Sequence, residues 1–290
     1  MTLLLRHSIL LSFLSFISLG CVQQIAIRTV GGIIDEYGFA TLNEEGDLPL
    51  AEQSIASNLK LLEILAKGDP RNREILSTLS MGYASYALGF VEDDDAARAR
   101  IFYLRGRDFG LRILKENNRF AEALDGDMLK FQTSLQSLST GDVPVVFWTA
   151  VGWGGYINLS ISDPEAIVDI PKVEAMIQFV ADRDSNYFYG GADLFLGTFK
   201  ASRSKLLGGD PEAARNHFEK CLRINHGNFL LALVFYAKWY SVQMQDQELF
   251  QQLLTRVENA SPDILPEARL TNAIAKKKAR LLLARMNELF

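Results

Sequence analysis

Residues that carry most enzyme chemistry are scarce in this chain. Its 290 residues include three histidines and two cysteines. His7 lies near the N-terminus, whereas His217 and His226 fall on and just after one helix-like segment. The sequence holds no HExxH, CxxC, GxSxG or GxxxxGK motif, so the spacings that hold zinc, a redox pair, a nucleophile or a phosphate are missing. We therefore expect a protein that is not an enzyme, with no catalytic residues, no metal ligands and no cofactor.

Positive charge is not in excess either. The formal net charge is -5, and hydrophobic residues make up 48% of the chain. Binding to nucleic acid depends on a basic surface, so nucleic acid is not expected as a partner. The hydrophobic content is sufficient for a globular domain with a large core.

Long apolar runs are few, and one of them lies near the N-terminus. The run 9–19 follows a short basic start and is too short to span a bilayer, as expected for an export signal. It leads into Gly20 and Cys21, and a small residue before a lone cysteine resembles a bacterial lipobox. We predict a signal peptide over residues 1–20, lipidation of Cys21, and a single helical domain over residues 21–290 that is anchored by lipid. An ordinary cleaved signal with an incidental cysteine is the alternative.

Strand signals are absent, and helical periodicity dominates after residue 48. Apolar residues such as Ile75 and Leu79 recur at helical spacing. The dipeptide Asp-Pro occurs at 69–70, 163–164 and 210–211, and it suits helix starts because aspartate caps backbone N–H groups and proline fits the first turn. Short links make successive helices antiparallel neighbours. The sequence therefore predicts an all-α fold, built as an array of antiparallel helix pairs.

The clearest repeat unit spans residues 192–226. Its first helix contains a leucine-glycine pair, and its second contains a small-x3-aromatic-x2-small pattern, as in tetratricopeptide repeats. Small residues are needed where two helices cross at close range, and the aromatic ring fills the gap between successive pairs. The predicted packing residues are Leu196, Gly197, Ala214, Phe218 and Cys221.

Five segments carry a more specific resemblance. In chain order they are FWTAVGWGGYINLS (147–160), YFYGGADLFLGTFKASR (187–203), LGGDPEAARNHFEKCL (207–222), YAKWY (236–240) and EARLTNAIAKKKARLLLARMNELF (267–290). Together they resemble the TatT family, the tetratricopeptide-like T component associated with periplasmic TRAP transporters. The resemblance extends from about residue 22 to the last residue.

This resemblance implies an all-helical homotrimer built from cryptic tetratricopeptide-like pairs. Family members are typically periplasmic lipoproteins, with which Cys21 agrees. The resemblance implies that the chain binds the solute-binding P component of the transporter. It also implies an apolar cavity or pore in each protomer that communicates with the ligand pocket of that partner, and a hydrophobic organic-acid or lipid-like ligand.

The stretch 145–159 (VVFWTAVGWGGYINL) combines aromatic residues with three glycines. Helical spacing places Trp148 and Tyr156 on one stripe and Trp153 on the adjacent one. Packing in the core is one interpretation; the other is that aromatic rings with polar tips line a partly wet cavity. We predict that the glycines mark the close approach of another helix or of a ligand path. The predicted conduit residues are Trp148, Trp153, Tyr156, Tyr187 and Tyr189.

Two charged clusters admit two interpretations each. The lysines at 276–278, with Arg280 and Arg285, form either a solvated outer face or a docking patch for an acidic partner. The acidic run 92–95 suits a loop and helix start better than a cation site.

The sequence as a whole predicts a periplasmic, lipid-anchored accessory protein of a TRAP-type uptake system. The outer membrane is favoured for the anchor, because Val22 stands where an aspartate retains some bacterial lipoproteins in the inner membrane. The alternative is a tetratricopeptide scaffold lipoprotein for envelope or outer-membrane protein assembly.

Overall fold

The computed structural model describes residue 24 and residues 26–290, and of residues 35, 36 and 39 it describes the backbone alone. Every regular element in this part of the chain is helical, which confirms the predicted all-α class. The α-helices are α1 (Phe39–Asn43), α2 (Leu48–Gly68), α3 (Arg73–Tyr86), α4 (Ala96–Leu114), α5 (Asn118–Ala123), α6 (Met128–Leu135), α7 (Val143–Asn158), α8 (Pro164–Ile167), α9 (Ile170–Arg183), α10 (Tyr187–Ala201), α11 (Pro211–Ile224), α12 (Leu230–Phe235), α13 (Gln247–Asn259), α14 (Arg269–Ala284) and α15 (Met286–Leu289).

Shorter or wider helical turns extend several of these helices. Wide π-helical turns occupy Ile34–Gly38, Ala87–Val91 and Tyr236–Ser241, and the last two continue α3 and α12. The 3-10 turns are Thr140–Asp142, Lys205–Leu207, Pro262–Ile264 and Pro266–Ala268.

Side-chain caps explain where many helices begin. The carboxylate of Asp163 accepts a hydrogen bond from the backbone N–H of Glu165 at 3.0 Å, and Asp210 accepts one from Ala213 at 3.0 Å. Proline follows each of these aspartates at the first helical position. The third Asp-Pro pair behaves differently: Asp69 closes α2, and Asn72 caps α3 instead.

Glycines allow α3, α4 and α7 to lie in close contact. A Cβ atom on Gly106 of α4 would lie 2.9 Å from the carbonyl oxygen of Ser80 in α3. A Cβ atom on Gly152 of α7 would lie 2.8 Å from the carbonyl oxygen of Tyr103 in α4. The expectation that Gly152 marks the close approach of another helix is thereby confirmed.

The buried apolar residues form two clusters. The first joins α2 to α10, and the second joins α10 to α15. Of the predicted repeat-packing residues, Gly197 lies at the contact of α10 with α11, where a Cβ atom on it would lie 3.1 Å from the ring of Phe218, whereas Leu196 belongs to the first cluster. Ala214, Phe218 and Cys221 are completely buried there.

Helix α14 connects the two clusters. Its residues Leu270 and Ile274 belong to the first cluster, whereas Ala275 and Ala279 belong to the second. Ile274 reaches the π-helical turn that follows α3, where it limits the space at Gly89. Through α14 the C-terminal part of the chain therefore contacts its N-terminal helices.

Two of the C-terminal lysines, Lys276 and Lys278, form contacts within the chain. Lys276 donates to the carbonyl oxygens of Glu258 and Ala260, both at 2.6 Å, and so caps the end of α13. Lys278 is buried against Glu92 and Asp93. Neither a solvated face nor a docking patch therefore describes these two lysines.

No helix in the described part of the chain combines the length and apolarity needed to cross a bilayer. The predicted signal peptide and the predicted lipidation site at Cys21 lie outside the described residues.

Candidate ligand-binding cavity

Helices α7, α10 and α12, with the π-helical turn after α12, enclose an apolar cavity of about 180 Å³. We call it the first cavity. Its apolar lining comes from α7, α10 and α12 and from the turn after α3, and it consists of Leu88, Phe147, Trp148, Val151, Leu159, Phe188, Leu194, Phe195, Phe199, Phe229, Leu231, Phe235 and Trp239. Its polar lining is Glu92, Tyr103, Asn158, Thr198 and Lys238.

Aromatic rings close one end of the first cavity. The ring of Phe188 lies edge-on to Trp148 with centroids 4.8 Å apart, and edge-on to Phe229 at 5.7 Å. Phe147 contacts Trp148 at 5.1 Å and Tyr187 at 5.3 Å. These residues come from the N-terminal ends of α7, α10 and α12, so the three helices begin at this end and run along the cavity in one direction.

A second apolar cavity, of about 110 Å³, lies on the other side of this aromatic cluster. It is bordered by α2, α3, α14 and the segment 34–43, through residues that include Leu59, Gly82, Phe90, Leu270 and Ile274. Among the described residues that line the two cavities, Trp148 and Phe188 border both. We call this pair the partition.

Phe188 occupies an unusual backbone conformation. Phe188 and Tyr189 have φ angles of 49° and 60°, and Gly190 follows at 82°, so the first turn of α10 runs through left-handed geometry. For a residue with a side chain this conformation costs about 1–2 kcal/mol. The surroundings hold it in place: the carbonyl oxygen of Tyr189 accepts from Asn225 Nδ2 at 3.1 Å, and the Tyr189 ring stacks on Phe229 at 4.9 Å.

Charged groups occupy the opposite end of the first cavity. The hydroxyl of Tyr103 donates to Glu92 at 2.6 Å, and Lys278 donates to Glu92 at 3.1 Å and to Asp93 at 2.5 Å. Burial raises the pKa of Tyr103 well above its ordinary value, and the negative charge of Glu92 raises it further. Burial alone would lower the pKa of Lys278, but the charges of Glu92 and Asp93 outweigh burial and raise it. Tyr103 therefore remains a neutral donor, and Lys278 remains a cation.

Comparison with known proteins places the chain in a family. The family model described as "TRAP transporter T-component" matches residues 44–290. The chain belongs to the TRAP transporter T-component family. An uncharacterized protein of Treponema pallidum (strain Nichols) is 26% identical over 263 residues, which cover 85% of this chain and 81% of that protein.

Membership of the T-component family makes the chain a TRAP transporter accessory protein. The matched range includes all residues that line the two cavities except those of the segment 34–43, which borders the second one. The chain is thus a member of a transporter-associated family and contains an apolar interior space.

Three of the predicted conduit residues lie at the aromatic end in this T-component chain. Trp148 borders both cavities, and its Nε1 donates to the hydroxyl of Tyr187 at 3.2 Å. Burial raises the pKa of Tyr187 to about 12. Tyr187 and Tyr189 do not line the first cavity; their rings contact the lining residues Phe147 and Phe229 respectively.

The structure places Trp153 and Tyr156 away from the described lining of both cavities. Trp153 is buried beneath the guanidinium of Arg107, 5.5 Å from its ring, and the ammonium of Lys172, 6.0 Å from it. The helical geometry of α7 explains both positions, because Trp153 lies about 140° and Tyr156 about 80° around the helix from Trp148. Residue 155, seven positions on, returns to the face of Trp148, and Gly155 does line the first cavity.

Phe188, Phe229 and the charged residues at the far end of the first cavity are not among the conduit residues predicted from the sequence. The sequence signal for Phe188 and Phe229 is that α7, α10 and α12 each have an aromatic residue near their N-terminal end. Glu92 was interpreted as part of a helix start, and Asp95 does cap α4 by accepting from the backbone N–H of Arg98 at 3.0 Å. Glu92 and Asp93 instead bind Lys278, from which Glu92 is 186 positions away.

Proposed function

We propose that this T-component protein offers a continuous apolar conduit to a hydrophobic organic-acid or lipid-like ligand and passes that ligand to or from the solute-binding P component. The observation that carries the proposal is the pair of apolar cavities that meet at the partition of Trp148 and Phe188. Small-molecule sites are typically concave, mostly apolar and furnished with a few polar groups, and the first cavity has this character.

The two cavities become one path when the ring of Phe188 moves. Trp148 is held by its hydrogen bond to Tyr187, whereas the Phe188 ring is held by contacts with other aromatic rings. The left-handed backbone at Phe188 lowers the cost of leaving this position, since a return to ordinary helical geometry relieves strain. The ring of Phe188 is therefore the mobile side of the partition.

Family resemblance supports the cellular setting of this conduit. Within the proposal, Cys21 carries the lipid that anchors the protein on the periplasmic side, with the outer membrane favoured, and three chains assemble into a homotrimer that docks the P component. Mass spectrometry of the mature N-terminus tests the lipid. Sedimentation of the full chain tests the trimer.

The conduit is tested by filling each cavity separately. Val151 lines the first cavity and Ser85 lines the second. The larger side chains of Val151→Phe and Ser85→Leu therefore fill part of the first and the second cavity respectively. Leu206→Phe is a matched enlargement on the surface, since Leu206 is 98% exposed. Each variant is co-purified with its P component, and the exchange of radiolabelled octanoate between the two proteins is timed.

Both filled variants should slow octanoate exchange at least tenfold while the complex with the P component still forms, and Leu206→Phe should leave the rate unchanged. Exchange at the wild-type rate in either filled variant would show that the ligand does not pass through that cavity. Failure of the wild-type chain to bind any P component would refute the proposed docking.

A further inference from the structure

The polar groups of the first cavity are concentrated at the end opposite the partition. Trp148, Phe188 and Phe229 lie near the N-terminal ends of α7, α10 and α12, whereas Asn158 ends α7 and Lys238 lies in the π-helical turn after α12. Ten residues of α7 separate Trp148 from Asn158, which corresponds to about 15 Å along the helix. The cavity is therefore apolar at the partition, whereas its other end holds the polar groups beside Phe235 and Trp239, as an amphipathic ligand requires.

The two carboxylates at the polar end have their own donors. Oε1 of Glu92 accepts from the Lys278 ammonium, and Oε2 accepts from the Tyr103 hydroxyl. Oδ2 of Asp93 also accepts from Lys278. Lys278 is 4% exposed and lies between the two carboxylates. A cationic ligand would have to displace these buried contacts, so this end of the cavity disfavours an amine.

Lys238 is the charged group with unused donors. Its Nζ forms two long ion pairs, with Oδ1 of Asp93 at 3.8 Å and with Oε1 of Glu92 at 4.0 Å, and both distances exceed that of a hydrogen bond. In the described part of the chain it donates no hydrogen bond, and its ammonium rests 5.0 Å from the centroid of the Trp239 ring. Among the described residues that line the first cavity, Lys238 carries the sole positive charge.

We propose that Lys238 binds the anionic head group of the ligand, whose apolar part extends along α7 towards Trp148 and Phe188. The inference rests on the proposed function and makes it specific: the ligand is an amphipathic monoanion, such as an alkyl or aryl carboxylate. The side chain of Lys238 is 29% exposed, so the head group stays partly hydrated and the cost of burying its charge is limited.

The volume of the first cavity sets the size of the ligand. At about 180 Å³ it exceeds the engineered cavity of about 150 Å³ that binds benzene. An apolar part of about seven carbons, the number in octanoate, therefore fits before the partition opens. Octanoate and 1-octanol form a suitable pair of probes, because they share the chain and differ in the charge of the head group.

Calorimetric titration of the full chain with both probes tests the role of Lys238. Lys238→Gln removes the charge, Lys238→Arg retains it, and Lys205→Gln removes one charge at an exposed residue away from the cavity. The Lys238→Gln variant loses the proposed ion pair with the octanoate carboxylate, so it should bind octanoate about tenfold more weakly than the wild-type chain does. Its affinity for octanol should change less than threefold. Lys238→Arg and Lys205→Gln should bind octanoate as the wild-type chain does.

The outcomes separate this inference from the function on which it rests. If Lys238→Gln binds octanoate as well as the wild-type chain does, or loses both probes equally while folded, the role of Lys238 is refuted and the apolar conduit stands. If the wild-type chain binds neither octanoate nor octanol, both proposals fail. Retained octanol binding shows that a variant is folded, and Lys238→Met replaces the glutamine variant if that one does not fold.

Discussion

Trp148 and Phe188 lie edge to face with ring centroids 4.8 Å apart, and each borders both apolar cavities. The two residues differ in how they are held. Trp148 is fixed by a hydrogen bond to Tyr187, whereas Phe188 sits on a left-handed backbone and is held by ring contacts. This difference makes Phe188 the residue whose position decides whether the interior is one space or two.

Removal of the Phe188 ring should join the cavities. In Phe188→Ala we expect the ratio of dodecanoate to octanoate affinity to rise at least tenfold, because each further buried CH₂ is worth about 0.8 kcal/mol. The variant should also lose about 2 kcal/mol of stability, less than a fully buried phenylalanine would, because Phe188 is only partly buried. Calorimetric titration with both acids gives the ratio, and urea unfolding gives the free energy.

Phe199→Ala is the matched control, because Phe199 lines the first cavity without bordering the second. It should leave room for a thicker ligand but no access to the second cavity, and the dodecanoate to octanoate ratio should stay near that of the wild-type chain. Equal ratios in the two variants would mean that Phe188 does not separate the cavities.

Gly152 should tolerate no side chain. A Cβ atom there would lie 2.8 Å from the carbonyl oxygen of Tyr103 and 2.9 Å from the backbone nitrogen of Arg107, and backbone cannot yield as a side chain can. Gly152→Ala should therefore lower the free energy of unfolding by about 2 kcal/mol, although alanine favours the helix by about 1 kcal/mol. Gly141→Ala, at an exposed site whose nearest atom is 3.4 Å away, should change it by less than about 0.5 kcal/mol in the same urea titration. Equal stability of the two variants would contradict the close crossing of α4 and α7.

The ion pairs of Asp193 should make stability depend on pH in the acid range. Asp193 is buried between α10 and α11, 2.8 Å from Nδ1 of His217 and 2.9 Å from Nζ of Lys220. Burial by itself raises the pKa of this carboxyl, but His217 and Lys220 outweigh burial and hold it below its usual range. Because the folded pKa lies below the unfolded one, the stabilisation is complete above about pH 4 and is lost as the pH falls through the folded pKa.

Asp193→Asn should therefore be less stable than the wild-type chain by about 2 kcal/mol at neutral pH, and this gap should narrow below about pH 4. Chemical unfolding at a series of pH values measures it. Asp125→Asn, at an exposed carboxylate, should show no comparable gap at any pH. A gap for Asp193→Asn that stays constant down to pH 2 would refute the assignment.

Tryptophan fluorescence should distinguish the residues that line the cavity from the one that does not. Of the three tryptophans, Trp148 and Trp239 line the first cavity, whereas Trp153 lies under Arg107. Octanoate should change the emission of the wild-type chain and of Trp153→Phe. The change should disappear when Trp148 and Trp239 are both replaced by phenylalanine, provided that calorimetry shows the probe still binds. A signal lost with Trp153 alone would restore the conduit role that the sequence assigned to that residue.

Features set by short segments of the chain were predictable from the sequence. Asp163 and Asp210 each precede proline and begin a helix, because capping depends on residues two or three positions apart. The glycine at 152 was interpreted correctly as a point of close approach, since an amphipathic array leaves few other uses for glycine inside a helix. The all-α class followed from the apolar periodicity alone.

Features set by contacts between distant segments were not predictable in the same way. Trp153 was grouped with Trp148 from proximity in sequence, yet a separation of about 140° around α7 directs it to the opposite side. The cluster of Glu92, Lys278 and Lys238 depends on α14 returning to the turn after α3, which no local pattern encodes. The left-handed turn at Phe188 likewise depends on Asn225, which caps the end of α11.

The central claim is that an amphipathic anion occupies the first cavity with its head at Lys238 and its tail at the partition. A crystal structure of the full chain with 8-bromooctanoate tests this most directly, because the anomalous scattering of bromine locates the tail independently of the protein. We expect a bromine peak beside Trp148 and Phe188, with the carboxylate within hydrogen-bonding distance of the Lys238 ammonium. Bromine confined to the protein surface, or the reverse orientation with bromine at Lys238, would contradict it.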